Sequence, residues 1–345
     1  KNIFRVESPK DSRLEYIRLD KNERYENHNI EFFNKLKKQI SSDLISAYPE
    51  FSKVYRLLSK NLKVKKNNIL LTAGSDQALK NTFELYYKKN KKVITIDPTF
   101  AMVDIYCKIF KTKQIKISHN KNLKINTSEL INSINNKVCL IIIANPNSPT
   151  GSFINQNELD LILKKALKYN VKVLIDEAYY EFAKYNCSKK IKKYNNLIII
   201  RTFSKIFGLA GLRCGYVLSN KNIIKEFSAI KPMYEINSVA VKALELLLPK
   251  KKILNSYLRL MREGEKFAIK FCKDNNYQFI KCYANFFHIS FDYDPNKIQN
   301  HLIKKKVLVK GGPGIKVFKN YLRISFAEKR TLSKILNIIK SFLTK

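Results

Sequence analysis

The sequence predicts an α/β fold built around a buried parallel sheet, and three observations lead to this prediction. Residues 138–144 read VCLIIIA, an almost unbroken apolar run, which is the composition expected of a strand covered on both faces. Segments rich in β-forming residues alternate along the chain with segments of helical periodicity. A chain of 345 residues is long for one domain and short for three, so we expect two domains.

The individual elements are predicted from the spacing of their apolar residues. Runs of β-formers that end at turn residues indicate strands at 69–73, 92–96, 138–144, 171–175, 197–201, 217–218, 285–291, 307–309 and 321–326. Apolar residues three and four positions apart indicate helices at 30–40, 52–62, 77–87, 101–110, 156–169, 235–271 and 332–343. The segment 235–271 is interrupted only near Pro249.

Composition favours a globular protein with no metal site and no membrane span. Hydrophobic residues make up 45% of the chain, and no apolar run approaches the roughly 18 residues that a membrane span needs. The first twenty residues are charged throughout, so we expect no signal peptide. The four histidines have no metal-ligand spacing. The six cysteines have no paired spacing, which indicates reduced thiols and a cytoplasmic location.

The net charge of the chain is +38, from 66 basic and 28 acidic residues. One interpretation is binding to nucleic acid or to an anionic surface. The other is a general preference for lysine and asparagine, because the lysines are spread over many predicted helix faces and no nucleic-acid-binding signature accompanies them. We favour the second interpretation, and we expect such a field to attract anionic small substrates.

The stretch 202–216, TFSKIFGLAGLRCGY, contains three of the nine glycines of the chain. Lys205 lies among apolar residues, and such surroundings lower the pKa of an amine and make it nucleophilic. Arg213 has the planar fork that holds a phosphate, and Thr202 and Ser204 add hydroxyl donors. A nucleophilic lysine beside an anion site is the arrangement that a pyridoxal phosphate Schiff base requires. The alternative interpretation is a glycine-rich turn with a solvated lysine.

This stretch, with its SK-x-FGLAGLR-x-GY pattern, resembles the cofactor-lysine segment of fold-type I aminotransferases. The nearest resemblance is to histidinol-phosphate aminotransferases and their close paralogues, and it extends in order from LDKNER to YLRIS. It implies that Lys205 carries pyridoxal 5′-phosphate and later moves the proton, while Arg213 binds the cofactor phosphate. It also implies a large domain at 30–240, with a mostly parallel seven-stranded sheet sandwiched by helices, and a smaller α+β domain formed by 1–29 and 241–345.

Gly74, Ser75 and Asp76 follow a short strand and open a helix. The N-terminus of a helix offers unpaired N–H groups and the positive end of the dipole, so a phosphate binds well there. A plain turn with a capping residue is the alternative. The presence of Lys205 and Arg213 elsewhere in the chain favours a phosphate cup formed by residues 74–76.

Asp176 ends a buried strand, where a carboxylate points into the ligand crevice of an open α/β sheet. There it can pair with the pyridine nitrogen of the cofactor, although a helix N-cap is the alternative. Tyr179, three residues on, can reach the ring hydroxyl. Phe100 stands at a strand-to-helix corner, where most aromatic residues belong to the core; the family resemblance implies that it stacks on the pyridine ring. By the same resemblance, Tyr48 reaches across a homodimer interface to the cofactor phosphate of the other subunit.

The loop at 145–151, NPNSPTG, resembles the family's N-P-x-x-P-T-G loop. The family residue just before P-T-G is usually asparagine and bonds the pyridine hydroxyl. This chain has Ser148 at that position, so either Ser148 makes the bond or Asn147 replaces it.

Three cations occupy positions that the family directs at the distal end of the substrate. Arg323 lies in the apolar segment YLRIS, and structural ion pairing is the alternative explanation for it. Lys310 stands thirteen residues upstream, where the family often has a second arginine. Arg24 follows the Asn-Glu pair of LDKNERY, where the family commonly has tyrosine.

We therefore predict a pyridoxal-phosphate-dependent aminotransferase that acts on a small phosphorylated amine, amino acid or ketone. The alternative reaction is decarboxylation of an O-phospho amino acid, because threonine-phosphate decarboxylase-like paralogues share nearly all the cofactor residues. Because Arg24 adds a cation to the substrate site, we rank histidinol phosphate itself below these compact substrates. We expect a homodimer with a shared active site, and a nucleic-acid-binding protein is the competing class.

Overall fold

The computed structural model describes residues 13–120, 122–183, 185–312 and 316–344. The first twelve residues, which the sequence analysis assigns to the small domain, lie outside the described residues. In chain order the strands are β1 (Ile17–Arg18), β2 (Ile69–Thr72), β3 (Lys92–Asp97), β4 (Lys113–Ser118), β5 (Val138–Ala144), β6 (Lys172–Asp176), β7 (Leu197–Thr202), β8 (Gly215–Leu218), β9 (Gln278–Ile280), β10 (Phe286–Ser290), β11 (Val307–Leu308), β12 (Lys310–Gly311) and β13 (Leu322–Ser325). The helices are α1 (Ile30–Lys38), α2 (Ser42–Ser46), α3 (Ser52–Leu62), α4 (Gly74–Tyr86), α5 (Ala101–Ile109), α6 (Thr127–Ser133), α7 (Gln156–Lys168), α8 (Lys221–Ile230), α9 (Ser238–Leu247), α10 (Lys251–Asp274), α11 (Pro295–Lys304) and α12 (Lys329–Leu343).

The larger of two compact units comprises His28–Lys251 and is built on a seven-stranded sheet of order β2-β8-β7-β6-β5-β3-β4. The pairs from β7 to β4 are parallel, and β8 runs antiparallel to both of its neighbours. Strands β5 and β7 are buried along their whole length, as strands of a parallel sheet covered on both faces should be. The predicted α/β fold with a mostly parallel seven-stranded sheet is confirmed.

The register of the sheet places the ends of four strands at one edge. Thr72 of β2 and Thr202 of β7 both pair with Gly215, the first residue of β8. Asp176, the last residue of β6, pairs with Ala144 at the end of β5. The carboxyl ends of β2, β5, β6 and β7 therefore meet at the same edge, which is where ligands bind in open α/β sheets.

The second unit comprises Lys1–Asn27 and Lys252–Lys345. Its four-stranded antiparallel sheet has the order β12-β13-β10-β9, and a separate parallel pair joins β1 to β11. The register of the antiparallel sheet makes Arg323 of β13 the direct neighbour of Lys310 on β12 and of His288 on β10. Helix α12 presents four buried aliphatic residues on one face, which is the pattern of an amphipathic helix that covers a core.

The structure differs from the sequence predictions in the division of the chain and in several elements. The second compact unit begins after Lys251, whereas the sequence analysis placed the boundary after residue 240, and α9 packs against α1 and α3 of the larger unit. The edge strand β4 was missed because only one of its six residues is buried, so its sequence carries little apolar signal. Helices α6, α8 and α11 and strand β9 were also missed, and helix 235–271 divides into α9 and α10.

None of the described helices combines the length and the hydrophobicity needed to cross a bilayer. Within the same described residues, no cluster of three or more histidine, cysteine or acidic side chains could hold a metal ion.

Candidate active site

The start of α4 lies against the guanidinium of Arg213, and two glycines make this approach possible. Gly74 has a φ of +84°, and a Cβ atom added there would lie 3.0 Å from Arg213 Nη2. A Cβ atom at Gly215 would lie 2.6 Å from the carbonyl oxygen of Arg201 and 2.8 Å from the backbone nitrogen of Ser75. Gly74 is favoured by its left-handed φ, whereas a side chain at Gly215 would push β8 away from the turn that opens α4.

Two buried hydroxyl groups lie beside the same guanidinium. Thr202 Oγ1 is 2.9 Å from Ser204 Oγ and accepts a hydrogen bond from the Ser204 backbone nitrogen at 3.1 Å. Arg213 Nη1 donates to Ser204 Oγ at 3.4 Å. The order in space is therefore Thr202, Ser204, Arg213 and then the phosphate cup at residues 74–76.

The donor set around the phosphate cup fits a phosphate group. Helix α4 is thirteen residues long, and the N–H groups of its first turn have no partner within the helix. A guanidinium and two hydroxyl groups next to these N–H groups supply the charge-assisted and neutral hydrogen bonds that a phosphate dianion needs. The contacts of Arg213 with the start of α4 and with Ser204 bring together the residues that the sequence analysis assigned to phosphate binding.

Asp176 is 9% exposed at the end of β6. Its Oδ1 atom accepts from the Ala178 backbone nitrogen at 3.0 Å, and a series of turns rather than an α-helix follows. The helix N-cap considered as an alternative is therefore not formed. Burial raises the pKa of the Asp176 carboxyl to about 7, against the opposing effects of this hydrogen bond and of the nearby Lys205 ammonium. A cationic ring nitrogen next to a carboxyl in this position would stabilise its ionised form.

Lys205 is half-buried, and its Nζ atom lies 5.3 Å from the centre of the Tyr179 ring. Tyr179 is 7% exposed. Because Lys205 acts electrostatically on Asp176, these three side chains, predicted as catalytic, lie in one neighbourhood. Lys205 lies on the loop between β7 and β8, three residues before the turn at Gly208, where φ is +65°.

The side chain of Asn147 is fully buried and is engaged on both sides of its amide. Its Nδ2 atom donates to the Pro98 carbonyl and to Thr150 Oγ1, each at 2.8 Å. Its Oδ1 atom accepts from Thr99 Oγ1 at 2.9 Å. The amide of Asn147 therefore joins the loop after β3 to the loop after β5, which favours Ser148 of the two residues left open for the ring hydroxyl.

His119 is a site-supporting residue that the sequence analysis missed. It directly follows β4, and its Nδ1 atom donates to the Asp97 carbonyl at 3.1 Å. Its Nε2 atom lies 2.9 Å from Ser152 Oγ and 3.2 Å from Thr150 Oγ1. Burial lowers the pKa of His119, so the ring is neutral at physiological pH and acts as a fixed support for the 145–151 loop.

Two aromatic residues predicted for the site are among the more exposed ones. Phe100 is 37% exposed at the start of α5. Tyr48 is 75% exposed, and its ring stacks on Tyr234 with a centroid distance of 4.1 Å. Both rings thus offer an accessible face.

A buried ion pair joins the two strands that carry Asp176 and Thr202. Glu177 Oε2 accepts from Arg201 Nε at 2.9 Å and from Nη2 at 2.7 Å, and both side chains are almost wholly buried. The Tyr180 ring centre lies 3.8 Å from the guanidinium carbon. This pair fixes the alignment of β6 and β7 directly behind the site.

Arg323 and Lys310 belong to the second unit. The Nη2 atom of Arg323 donates to the Asp20 carbonyl at 2.6 Å, and its guanidinium carbon lies 5.5 Å from the Phe286 ring centre. These two contacts are with a carbonyl oxygen and with an aromatic ring. Lys310, the cross-strand neighbour of Arg323, is exposed.

Arg24, in the same unit, packs on an aromatic ring. Its guanidinium carbon lies 4.2 Å from the ring centre of Tyr257, with Glu26 close enough to act on its charge. Burial lowers the pKa of Arg24. Its Nε and Nη1 atoms are buried and make no hydrogen bond within the described residues. Tyr257 and Glu26 oppose the effect of burial on this cation but do not outweigh it.

Comparison with known proteins gives the family of this chain. The sequence profile of aminotransferase class I and II matches residues 12–339. The histidinol-phosphate aminotransferase of Pelagibacter ubique (strain HTCC1062) is 33% identical over 313 residues, covering 86% of this chain and 85% of the relative.

Two solved structures show the same fold. The histidinol-phosphate aminotransferase of Sinorhizobium meliloti, in complex with pyridoxal-5′-phosphate, has a TM-score of 0.82 at 19% identity, covering 94% of this chain and 91% of that one. The L-threonine-O-3-phosphate decarboxylase of Porphyromonas gingivalis has a TM-score of 0.80 at 18% identity, covering 95% and 100%.

The fold and the site thus define a fold-type I enzyme whose cofactor is pyridoxal 5′-phosphate. The chain belongs to the class I and II aminotransferases, within the histidinol-phosphate aminotransferase-like group. The predictions of the family, the fold and the cofactor are confirmed.

Proposed function

We propose that this aminotransferase transfers an amino group to or from a small phosphorylated substrate, with Lys205 as the residue that carries the cofactor. The observation that carries the proposal is the neighbourhood of Lys205, Asp176 and Tyr179 in the unit that also holds the phosphate cup. When bound, the cofactor supplies an electron sink for charge that develops next to the substrate nitrogen.

Each residue near Lys205 has a separate task in this proposal. Asp176, buried close to the Lys205 ammonium, holds the ring nitrogen protonated. Tyr179 and Ser148 orient the ring through its hydroxyl group. Phe100 covers one face of the ring. Lys205, once released from the cofactor, moves the proton at the substrate carbon.

The phosphate of the cofactor is held by groups of three kinds. The phosphate cup supplies backbone N–H groups and the Ser75 hydroxyl. Thr202 and Ser204 supply further hydroxyl groups, and Arg213 supplies the positive charge.

In the second unit, Arg323 grips the anionic group of the substrate, assisted by its neighbour Lys310. The name of the Pelagibacter relative makes histidinol phosphate the first substrate to test, which reverses the order expected from the sequence. Compact phosphorylated amines and amino acids remain in the proposed class.

We propose further that the protein is a cytoplasmic homodimer with a shared active site. Tyr48 is exposed in the single chain, and we assign its hydroxyl to the cofactor phosphate of the other subunit. The six cysteines are all buried and form no disulfide, as is usual for a protein of a reducing compartment. Light scattering that finds a fully active monomer would contradict the shared site.

The substrate is tested by steady-state assays on the loaded enzyme. Histidinol phosphate, histidinol, O-phosphothreonine and threonine are each supplied with a keto-acid acceptor, and keto product and carbon dioxide are measured. We expect keto product from a phosphorylated substrate and a large fall in kcat/KM for its unphosphorylated partner, with a further fall for Arg323→Ala.

Carbon dioxide as the main product would identify a decarboxylase instead, an alternative that the fold shared with the Porphyromonas enzyme leaves open. Equal rates with and without the phosphate would contradict the proposed substrate class. Salt-sensitive binding to duplex DNA without any uptake of the cofactor would favour the nucleic-acid-binding class.

A further inference from the structure

The short segment 234–237, between α8 and α9, contacts the backbone that presents the proposed phosphate site at two points. We propose that Glu235, Gln77 and Asn237 are positioning residues for the cofactor phosphate, which they do not touch themselves. This inference rests on the proposed assignment of the phosphate cup and Arg213.

The first point of contact runs through Gln77 in the first turn of α4. Gln77 Nε2 donates to Glu235 Oε1 at 2.7 Å, and Gln77 Oε1 accepts from the Ala73 backbone nitrogen at 3.3 Å. Ala73 directly precedes Gly74, whose left-handed φ begins the phosphate cup. The carboxylate of Glu235 therefore orients the amide of Gln77, and the amide fixes the turn at which the N–H groups of α4 begin.

The second point of contact lies at the arginine. Asn237 Nδ2 donates to the Leu212 carbonyl at 3.0 Å. The next residue is Arg213, which has a φ of +49°, a conformation that residues other than glycine seldom adopt. A hydrogen bond on the preceding peptide group holds that unusual turn and with it the direction of the guanidinium.

The two points of contact are coupled through the segment itself. Ile236, between Glu235 and Asn237, is 1% exposed, and Asn237 also caps α9 through the Ala240 backbone nitrogen at 2.8 Å. The segment is thus anchored between its two contacts. The stack of Tyr234 on Tyr48 attaches to the same segment the residue that is proposed to bind the cofactor phosphate of the other subunit.

The stability of the fold does not by itself account for the buried carboxyl group of Glu235. Its Oε2 atom is buried and makes no hydrogen bond within the described residues. A buried acceptor without a partner costs free energy, so stability alone does not explain a carboxyl group at this position. The contact of Oε1 with Gln77 is the feature that a positioning role explains.

The test separates phosphate binding from binding of the ring. Apoenzyme is titrated with pyridoxal 5′-phosphate, with pyridoxal and with inorganic phosphate, and the dissociation constants are compared. For Glu235→Leu, Gln77→Leu and Asn237→Ser we expect pyridoxal 5′-phosphate and phosphate to bind about tenfold more weakly, which corresponds to loss of about one hydrogen bond. Binding of pyridoxal should stay within about twofold, because the ring contacts are unchanged.

Two conservative variants serve as controls. Glu235→Gln keeps an acceptor for Gln77 and should bind like the parent. Asn220→Ser matches Asn237→Ser in chemistry, since Asn220 caps α8 and donates to the Asn195 carbonyl at 2.7 Å, at the opposite edge of the sheet. Serine retains the cap in both variants, so only the donor to the carbonyl is lost.

Arg213→Leu distinguishes a failure of the positioning role from a failure of the phosphate site. If it weakens phosphate binding while Glu235→Leu and Asn237→Ser do not, the positioning role is wrong and the phosphate site stands. If Arg213→Leu leaves the preference for pyridoxal 5′-phosphate over pyridoxal unchanged, the phosphate site itself is wrong. Equal losses of pyridoxal and pyridoxal 5′-phosphate would also overturn the positioning role. Should Glu235→Leu fail to fold, the more exposed Asn237 keeps the comparison decisive.

Discussion

The positive charge of the Lys205 ammonium acts to lower the pKa of the Asp176 carboxyl, but burial outweighs it and raises the pKa of this carboxyl to about 7. A lysine therefore does not suffice to keep this carboxyl fully ionised at neutral pH in the cofactor-free protein. The arrangement prepares Asp176 for a second cation, and in the proposed function that cation is the protonated ring nitrogen of the cofactor. The same relationship predicts a dependence of stability on pH.

The cofactor-free protein should lose stability as pH rises from about 4 to about 7, in part because of Asp176. In this interval the folded protein holds a proton that the unfolded chain has already released, so the free energy of unfolding falls with increasing pH. Asp176→Asn has no such proton. We expect the Tm of this variant to rise relative to the parent between about pH 4 and about pH 8, measured on apoprotein by calorimetry.

The control for this pH dependence is Asp274→Asn, because Asp274 is a surface residue of α10 with a side chain 53% exposed. Its Tm difference from the parent should change little with pH. A constant difference between Asp176→Asn and the parent would show that burial of Asp176 does not govern the effect.

Breaking the buried pair of Glu177 and Arg201 should destabilise the larger unit strongly. Glu177→Leu leaves the guanidinium buried without its carboxylate, and the expected cost is about 3–5 kcal/mol of unfolding free energy. Urea denaturation measures it. The exposed pair of Lys270 and Asp274 is the comparison, where Asp274→Ala should change stability by about 0.5 kcal/mol or less. Similar losses for the two variants would contradict the role given to burial.

Replacement by alanine should have different effects at two glycines of the stretch 202–216. A Cβ atom at Gly215 would lie 2.6 Å from the Arg201 carbonyl oxygen, whereas one at Gly211 meets nothing within 4 Å. We expect Gly215→Ala to lower Tm and to weaken phosphate binding to apoprotein, because β8 must move away from α4. Gly211→Ala should leave both unchanged or raise Tm slightly. Equal Tm values for the two variants would show that the strand relaxes without cost.

The two polar residues of the 145–151 loop should also differ. Asn147→Ala removes an amide that binds Thr99, Thr150 and the Pro98 carbonyl, so we expect a marked loss of stability even without cofactor. Ser148→Ala should leave the stability of apoprotein unchanged and shift the absorption band of the bound cofactor. If Ser148→Ala leaves the absorption band unchanged, the proposed hydrogen bond to the ring hydroxyl is absent.

The sequence was informative where a functional residue follows a strongly apolar strand. Asp176 and the loop of Asn147 and Ser148 lie at the ends of β6 and β5, whose apolar runs identify them, and Lys205 follows β7 in the same way. The ends of parallel strands meet at one edge whatever the order of the strands, so the amino-acid pattern alone suffices to group these residues.

Contacts between residues that are far apart in the chain could not be predicted where no apolar run marks the residues. His119 follows the polar edge strand β4, so nothing marked it as a support of the 145–151 loop. Glu177 and Arg201 are 24 positions apart, and their pairing depends on the adjacency of β6 and β7. The contact of Gln77 with Glu235 spans 158 positions and arises from packing alone.

The most direct test of the account asks which residue carries the cofactor. Purified protein loaded with pyridoxal 5′-phosphate is reduced with borohydride, digested and analysed by mass spectrometry, alongside Lys205→Ala as the control. We predict the pyridoxyl group on Lys205 alone, together with loss of the cofactor absorption band and of amino transfer in the variant. Label on another lysine, or a variant that retains both the absorption band and the activity, would contradict the assignment of Lys205.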